Sequence, residues 1–387
     1  MIIPPKLSLY VHIPWCVQKC PYCDFNSHAL KSPIPEHSYI DALLEDLDQD
    51  IKRYQLNASP RPLHSIFIGG GTPSLLSSES IGKLINGIKK RFVFEPDIEI
   101  TMEANPGTIE AERFTKYRIA GVNRMSIGIQ SFEDTKLMNL GRIHDSNEAI
   151  KAATLAHNIG LRSFNLDLMH GLPDQTVDQA LTDLDKAIAL SPPHFSWYQL
   201  TIEPNTLFYS RPPKLPDDDS LWDIYELGHQ KLTKAGYVQY ETSGYSKPGL
   251  QCQHNLNYWR FGDYLGIGCG AHGKLSFENG QILRTTKVKH PQGYLNMLKP
   301  YLDSEQNVLD KDRPFEFFMN RFRLLEPCPK QEFTDTTGLS IKNIDSTMKW
   351  AIKNDLLLED ERNWQITQKG KLFLNDLLEA FINDDSE

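Results

Sequence analysis

Three of the chain's six cysteines fall within eight positions, in "CVQKCPYCDF" (residues 16–25), and their spacing is C-x3-C-x2-C. Thiolates so spaced can wrap one metal centre in a loop, and soft sulfur ligands favour zinc or an iron–sulfur cluster. A closed zinc site takes four ligands, and Asp24, His12 and His28 are the nearby candidates for the fourth. A [4Fe–4S] cluster held by three cysteines instead leaves one iron open to a further group. Phe25 stands where another cysteine would have extended the series. The remaining cysteines, 252, 269 and 328, are scattered and suit small buried positions.

A second group of residues has the chemistry of a ligand pocket. "GGGTP" (69–73) is a tight strand-to-helix turn that also permits close backbone approach to a ligand. Glu103 in "MEANP" can accept hydrogen bonds from hydroxyls or an amine, and Gln130 in "GIQSF" offers a donor and an acceptor. Arg142 in "LGRIH" suits a carboxylate, and Asp167 in "LDLMHGLP" another polar edge. Each has a structural alternative, since a buried Glu103–Arg142 pair would serve only to hold the elements together. In "HNLNYW" (254–259) an imidazole able to ligate a metal precedes two flat aromatic side chains, although the same string suits a packed loop corner. Cys252 lies two residues before that histidine, and His12, His170 and His272 are further candidate ligands or ordinary buried histidines.

These residues need elements to position them. Six apolar or alternating runs read as strands: 7–15, 65–71, 98–106, 124–131, 163–173 and 194–204. Between them, apolar residues recur at helical spacing, as in Ile40, Leu43, Leu44, Leu47, Ile51 and Tyr54. Strand then helix, six times over, predicts an α/β fold with a parallel sheet, either a partial barrel or a doubly wound sheet. The cysteines, the glycines, Glu103 and Gln130 all follow or end strands, and parallel barrels gather their active sites at that end. The partial (β/α)6 barrel is therefore the expected architecture. Beyond about residue 300 the pattern changes to helices with a hairpin at "LLLEDERNWQIT" and a last helix over 369–382, a small winged-helix-like α+β module. The expected divisions are 1–235 for the barrel, 236–305 for an extension carrying "HNLNYW", and 306–387 for the module.

The cysteine loop in its context, "YVHIPWCVQKCPYCDF", resembles the radical S-adenosylmethionine (radical SAM) superfamily. That resemblance implies a [4Fe–4S] cluster on Cys16, Cys20 and Cys23, with SAM chelating the open iron and, in that superfamily, an electron from the cluster able to cleave SAM to a 5'-deoxyadenosyl radical. Nearly the whole chain resembles the oxygen-independent coproporphyrinogen III oxidase branch, whose oxidases carry C-x3-C-x2-C-x-C. Phe25 departs from that pattern and "HNLNYW" matches an HNxxYW signature; in both respects the chain is similar to HemW-type haem chaperones. The resemblance implies SAM contacts at Tyr10, Tyr22, Gly70, Gly71, Thr72, Glu103, Gln130, Arg142 and Asp167, with Thr201 a candidate for a second SAM. It also implies haem binding through His254, transfer of haem to an acceptor protein, and an electron donor if SAM is cleaved. The rival within the branch is a coproporphyrinogen III dehydrogenase, an enzyme that decarboxylates propionate side chains by hydrogen abstraction.

Composition sets the outer limits. With 40% hydrophobic residues over 387 positions the chain can bury a large core. A net charge of -9 argues against a face built to grip nucleic acid. No stretch reads as a signal peptide or transmembrane segment, so a cytoplasmic protein is expected, in a reducing compartment where clustered cysteines bind metal.

Overall fold

A computed structural model describes residues 1–107, 113–296, 298 and 300–382. All six expected strands form: β1 (Leu7–Ile13), β2 (Leu63–Gly70), β3 (Phe94–Ala104), β4 (Arg124–Gln130), β5 (Ser163–His170) and β6 (His194–Gln199). They pair in parallel and strictly in chain order. A doubly wound sheet would reverse its strand order at a switch point. None occurs within these six strands, so the arrangement is the partial barrel.

Alternation along the strands assigns two faces. Leu9, Val11, Ile66, Ile68, Met102, Ile127 and Leu166 pack in one apolar core with helix residues such as Leu43, Leu47, Leu84 and Leu184. The intervening positions are polar: Ser8, Ser65, Glu99, Arg124, Ser126, Asn165 and His194 are all buried. The helices begin where the sequence supplies caps. Ser77 accepts from the Ser80 amide ahead of Ser78–Lys89, while Asp145–Glu148 and Thr176–Gln179 form capping boxes at Ser146–Asn158 and Val177–Ala189.

The sheet continues past both ends of the barrel. Asp263–Ile267 pairs in parallel with the outer side of β1, followed by antiparallel His272–Ser276, Ile282–Lys287 and Leu302–Asn307. On the far side Gly244–Ser246 runs antiparallel to β6, and Val238–Gln239 pairs with it as the edge strand. The C-terminal module has helices Arg313–Arg321, Lys330–Thr337 and Asp345–Lys353 and a hairpin of Leu357–Glu359 with Asn363–Ile366, as a winged helix requires. Its own core contains Phe317, Phe318, Phe333, Trp364 and Phe381, and takes in Ile2 and Phe261 from outside the module. The expected last helix is two, Gln368–Leu372 and Leu374–Glu379, because the chain leaves helical geometry at Phe373. Among the described residues no helix is long and apolar enough to cross a membrane.

Candidate cofactor site

The cysteine loop leaves the C-terminal end of β1 and is tied down at both ends. Trp15–Cys16 pairs with His28–Ala29, and the Thr72 amide donates to the Trp15 carbonyl (2.7 Å). Asn26 fixes the return of the loop by donating to the carbonyls of Cys269 (3.0 Å) and Lys289 (2.9 Å), far along the chain. The "GGG" turn runs beside it. A Cβ on Gly71 would lie 2.6 Å from the Trp15 carbonyl oxygen, and Gly70 has φ of +114° with the His12 ring against its α-carbon, so neither position admits a side chain.

The three thiols open onto a cavity of about 530 Å³ at the C-terminal end of the strands. Of the expected SAM contacts, Tyr22, Gly70, Gly71, Thr72, Glu103, Gln130, Arg142 and Asp167 line this cavity, as does Thr201. Tyr10 does not line it. Its hydroxyl meets His12 Nδ1 (3.0 Å), and His12 Nε2 donates to the Asn26 carbonyl (2.9 Å), so Tyr10 braces the cysteine loop from behind. Phe25 is 61% exposed at the rim.

The electrostatics suit an absent ligand that carries both signs of charge. Arg142 is half-buried and donates to the Asn105 Oδ1 (2.6 Å), the Gly128 carbonyl (2.8 Å) and the Cys20 sulfur (3.6 Å). Among the described residues no carboxylate pairs with it, and its Nε has no partner, so the alternative of a Glu103–Arg142 ion pair does not form. Among the described residues Glu103 accepts from the Gly70 amide alone (2.9 Å), and burial together with the nearby Asp167 pushes its carboxyl up to about 8. Burial likewise raises Asp167, which accepts from Ser126 and Asn165, and Cys16. An unmatched guanidinium beside the thiols and an unmatched carboxyl beside the glycines fit an amino-acid-like group between them. No three His, Cys, Asp or Glu side chains among the described residues converge as ligands of one ion would. The cavity beside the three thiols leaves room for a polynuclear cluster, in which each thiolate meets a different iron. Gln130, the last residue of β4, has φ of +70° and accepts from Tyr198 OH (3.0 Å), strain of the kind held at ligand sites.

The "HNLNYW" motif lies at the opposite end of the barrel. It forms the helix Gln253–Trp259, whose amides at Gln253 and His254 donate to Glu99 (3.1 Å each), near the start of the β3 pairing. His254 is 7% exposed, bonded through Nδ1 to Ser65 Oγ (3.0 Å) and packed on Phe67, and it lines neither this cavity nor the second one described below. Burial pushes its imidazole down to about 4 and the Cys252 thiol up to about 12. A buried polar chain joins the two ends: Asp167 to Asn165 (2.7 Å), Asn165 to His194 (2.7 Å), His194 to Tyr240 (2.8 Å), and Tyr240 to the Cys252 amide (3.4 Å). Asn165 gives its amide to Asp167, so His194 donates through Nδ1 and accepts from Tyr240 through Nε2. Asn26, Ser126, Tyr198 and Tyr240 carry no local sequence signal for these roles.

The radical SAM superfamily model matches residues 10–186, and the HemN C-terminal domain model matches 308–373. The chain is 65% identical to the haem chaperone HemW of Haemophilus influenzae, over 98% of this chain and 99% of that one. It is 63% identical to HemW of Escherichia coli (99% and 100% covered) and 33% identical to HemW of Bacillus subtilis (97% and 99% covered). Among solved structures, coproporphyrinogen III oxidase (HemN) from Escherichia coli superposes with a TM-score of 0.82 at 23% identity, covering 98% of this chain and 91% of that one. At that identity the likeness speaks for the fold.

Proposed function

Since the chain belongs to the HemW family of haem chaperones, within the radical SAM superfamily, we propose that it binds haem and passes it to an acceptor protein. The observation that carries the reading is relatedness along the whole chain, C-terminal module included. Decarboxylation of coproporphyrinogen is not favoured: Phe25 replaces the extra cysteine, and "HNLNYW" is present.

In this reading Cys16, Cys20 and Cys23 hold a [4Fe–4S] cluster and SAM completes it. When bound, the pair supplies one-electron chemistry. Arg142 faces the carboxylate of SAM and stays charged beside the thiolates. Glu103, with the amides of the 69–72 turn, receives the amino group. Gln130, Asp167, Thr72 and Tyr22 bound the remaining polar and stacking surface, and Tyr10 positions the loop through His12. The functional division follows 1–235, 236–305 and 306–387, and the working compartment is the cytoplasm. The partners in this reading are a haem acceptor protein and, if SAM is cleaved, an electron donor.

An anaerobic haem titration of cluster-reconstituted protein, followed at the Soret band, tests the reading. Saturation at one haem per chain supports it. Weak, unsaturating uptake would overturn it and make a coproporphyrinogen assay the next measurement. A His254→Ala variant in the same titration tests the motif histidine as the axial ligand.

A further inference from the structure

A second cavity, of about 840 Å³, lies between the barrel and the C-terminal module. It adjoins the cofactor cavity, since Tyr198, Gln199, Thr201 and Glu203 line both. Its volume is that of a cofactor site. The barrel side presents Trp197, Trp222 and Tyr225, and the module side Phe322, Arg323 and Lys371.

Three features are unexplained by folding alone. His170, the last residue of β5, lines the cavity at 4% exposure, its ring 4.4 Å from that of Trp197, and among the described residues its Nδ1 has no hydrogen-bond partner. A buried imidazole nitrogen normally finds one. Burial alone pushes it down to about 4, so it is neutral at physiological pH, the form that ligates iron. Lys371 makes no side-chain hydrogen bond or ion pair among the described residues, and partial burial lowers it for want of a counter-charge. Arg323 has a buried Nε without a partner among the described residues and lies over the Trp259 ring (4.4 Å). The "HNLNYW" helix, remote from the thiols, thus reaches this cavity through the arginine that its tryptophan supports.

Aromatic walls, a neutral imidazole and two under-used cations match a flat macrocycle that bears a metal and carboxylates. Glu203 and Asp218 also line the cavity, so it is not a general anion trap. Resting on the haem-chaperone reading and deepening it, we propose that this second cavity is the haem seat, with His170 facing the iron and Arg323 and Lys371 facing the propionates. Haem would then lie beside the SAM cavity, behind the wall of Tyr198 and Gln199.

The test compares full-length, cluster-reconstituted wild type with His170→Ala, Lys371→Ala and His254→Ala, titrated with haem and with iron-free protoporphyrin IX. The expected result for His170→Ala is a shifted Soret band and haem affinity lower by about tenfold or more, with protoporphyrin binding retained. Lys371→Ala, at a half-exposed position, should weaken both ligands by about two- to fivefold. Circular dichroism confirms that each variant is folded, and the Lys371 variant tests the site even if His170→Ala is not. Wild-type saturation with a Soret band and affinity indifferent to both changes would overturn the seat but leave the haem reading standing. The same holds if only His254→Ala shifts the band. Failure of the wild type to saturate would overturn the haem reading itself, and the seat with it.

Discussion

At the scale of single residues, the cofactor cavity is built of groups that are costly to the empty protein. Glu103 is held largely protonated at neutral pH by its surroundings, whereas the unfolded chain leaves it ionised. A carboxyl raised in this way loses stability for the fold as pH climbs from its unfolded value to about 8. Glu103→Gln should therefore raise the melting temperature of the ligand-free protein at pH 7 by about 2–4 °C while weakening SAM binding. A lower melting temperature would show that the carboxylate is structural. Arg142→Ala should reduce SAM affinity by about tenfold to a hundredfold with the cluster retained, as expected for a lost charge-assisted contact, and equilibrium binding to the reconstituted protein reads this directly. Cys20→Ala should abolish the broad visible absorption of the cluster, with iron and sulfide analysis as the check. Phe25→Cys should not create coproporphyrinogen oxidation, because the rest of the cavity is unchanged.

At the scale of elements, the barrel was legible because local patterns fix it. Apolar runs of strand length alternate with 3.6-residue stripes, and the thiols, glycines, Glu103 and Gln130 fall at strand ends, so these could be gathered from the sequence pattern, whereas Arg142 and Asp167 were gathered through the family motifs that contain them. The position of "HNLNYW" was not legible. The helix Gln253–Trp259 lies under the barrel because Asp263–Ile267 turns back to pair with β1, a contact between residues about 256 apart that no local periodicity encodes. Nor could sequence show that His170 keeps a bare nitrogen or that Asn26 clamps a distant loop, since both depend on what else arrives. The element makes its own prediction. Glu99 caps the "HNLNYW" helix and lies 4.0 Å from the buried Arg124. Glu99→Ala should destabilise the protein by about 3–5 kcal/mol in urea unfolding, because it leaves that guanidinium buried and unpaired. His254→Ala should cost only about 1–3 kcal/mol, the loss of a buried partner for Ser65.

At the scale of the whole molecule, buried neutral histidines tie stability to acidity. His144, His170 and His254 are pushed down to about 4, and His194 well below its ordinary value, all chiefly by burial. Below pH 6.5 the unfolded chain takes up protons that the folded chain refuses until about 4, so each histidine erodes stability by up to about 1.4 kcal/mol per pH unit across that window. His170→Asn, compared with wild type by denaturant unfolding between pH 6.5 and 4.5, should show a shallower acid decline by about one proton. Equal slopes would mean that the folded protein already protonates His170.

The clamp that Asn26 makes with Cys269 and Lys289 spans 243 and 263 residues. On a ribosome, the cysteine loop emerges early but acquires its anchors only after about three-quarters of the chain has been made. Until then the three thiols are unsheltered and the first strand lacks its outer neighbour. Metal retention therefore has to wait until residue 289 has emerged, and a nascent chain stalled before it would present the ligands without the clamp that shelters what they bind.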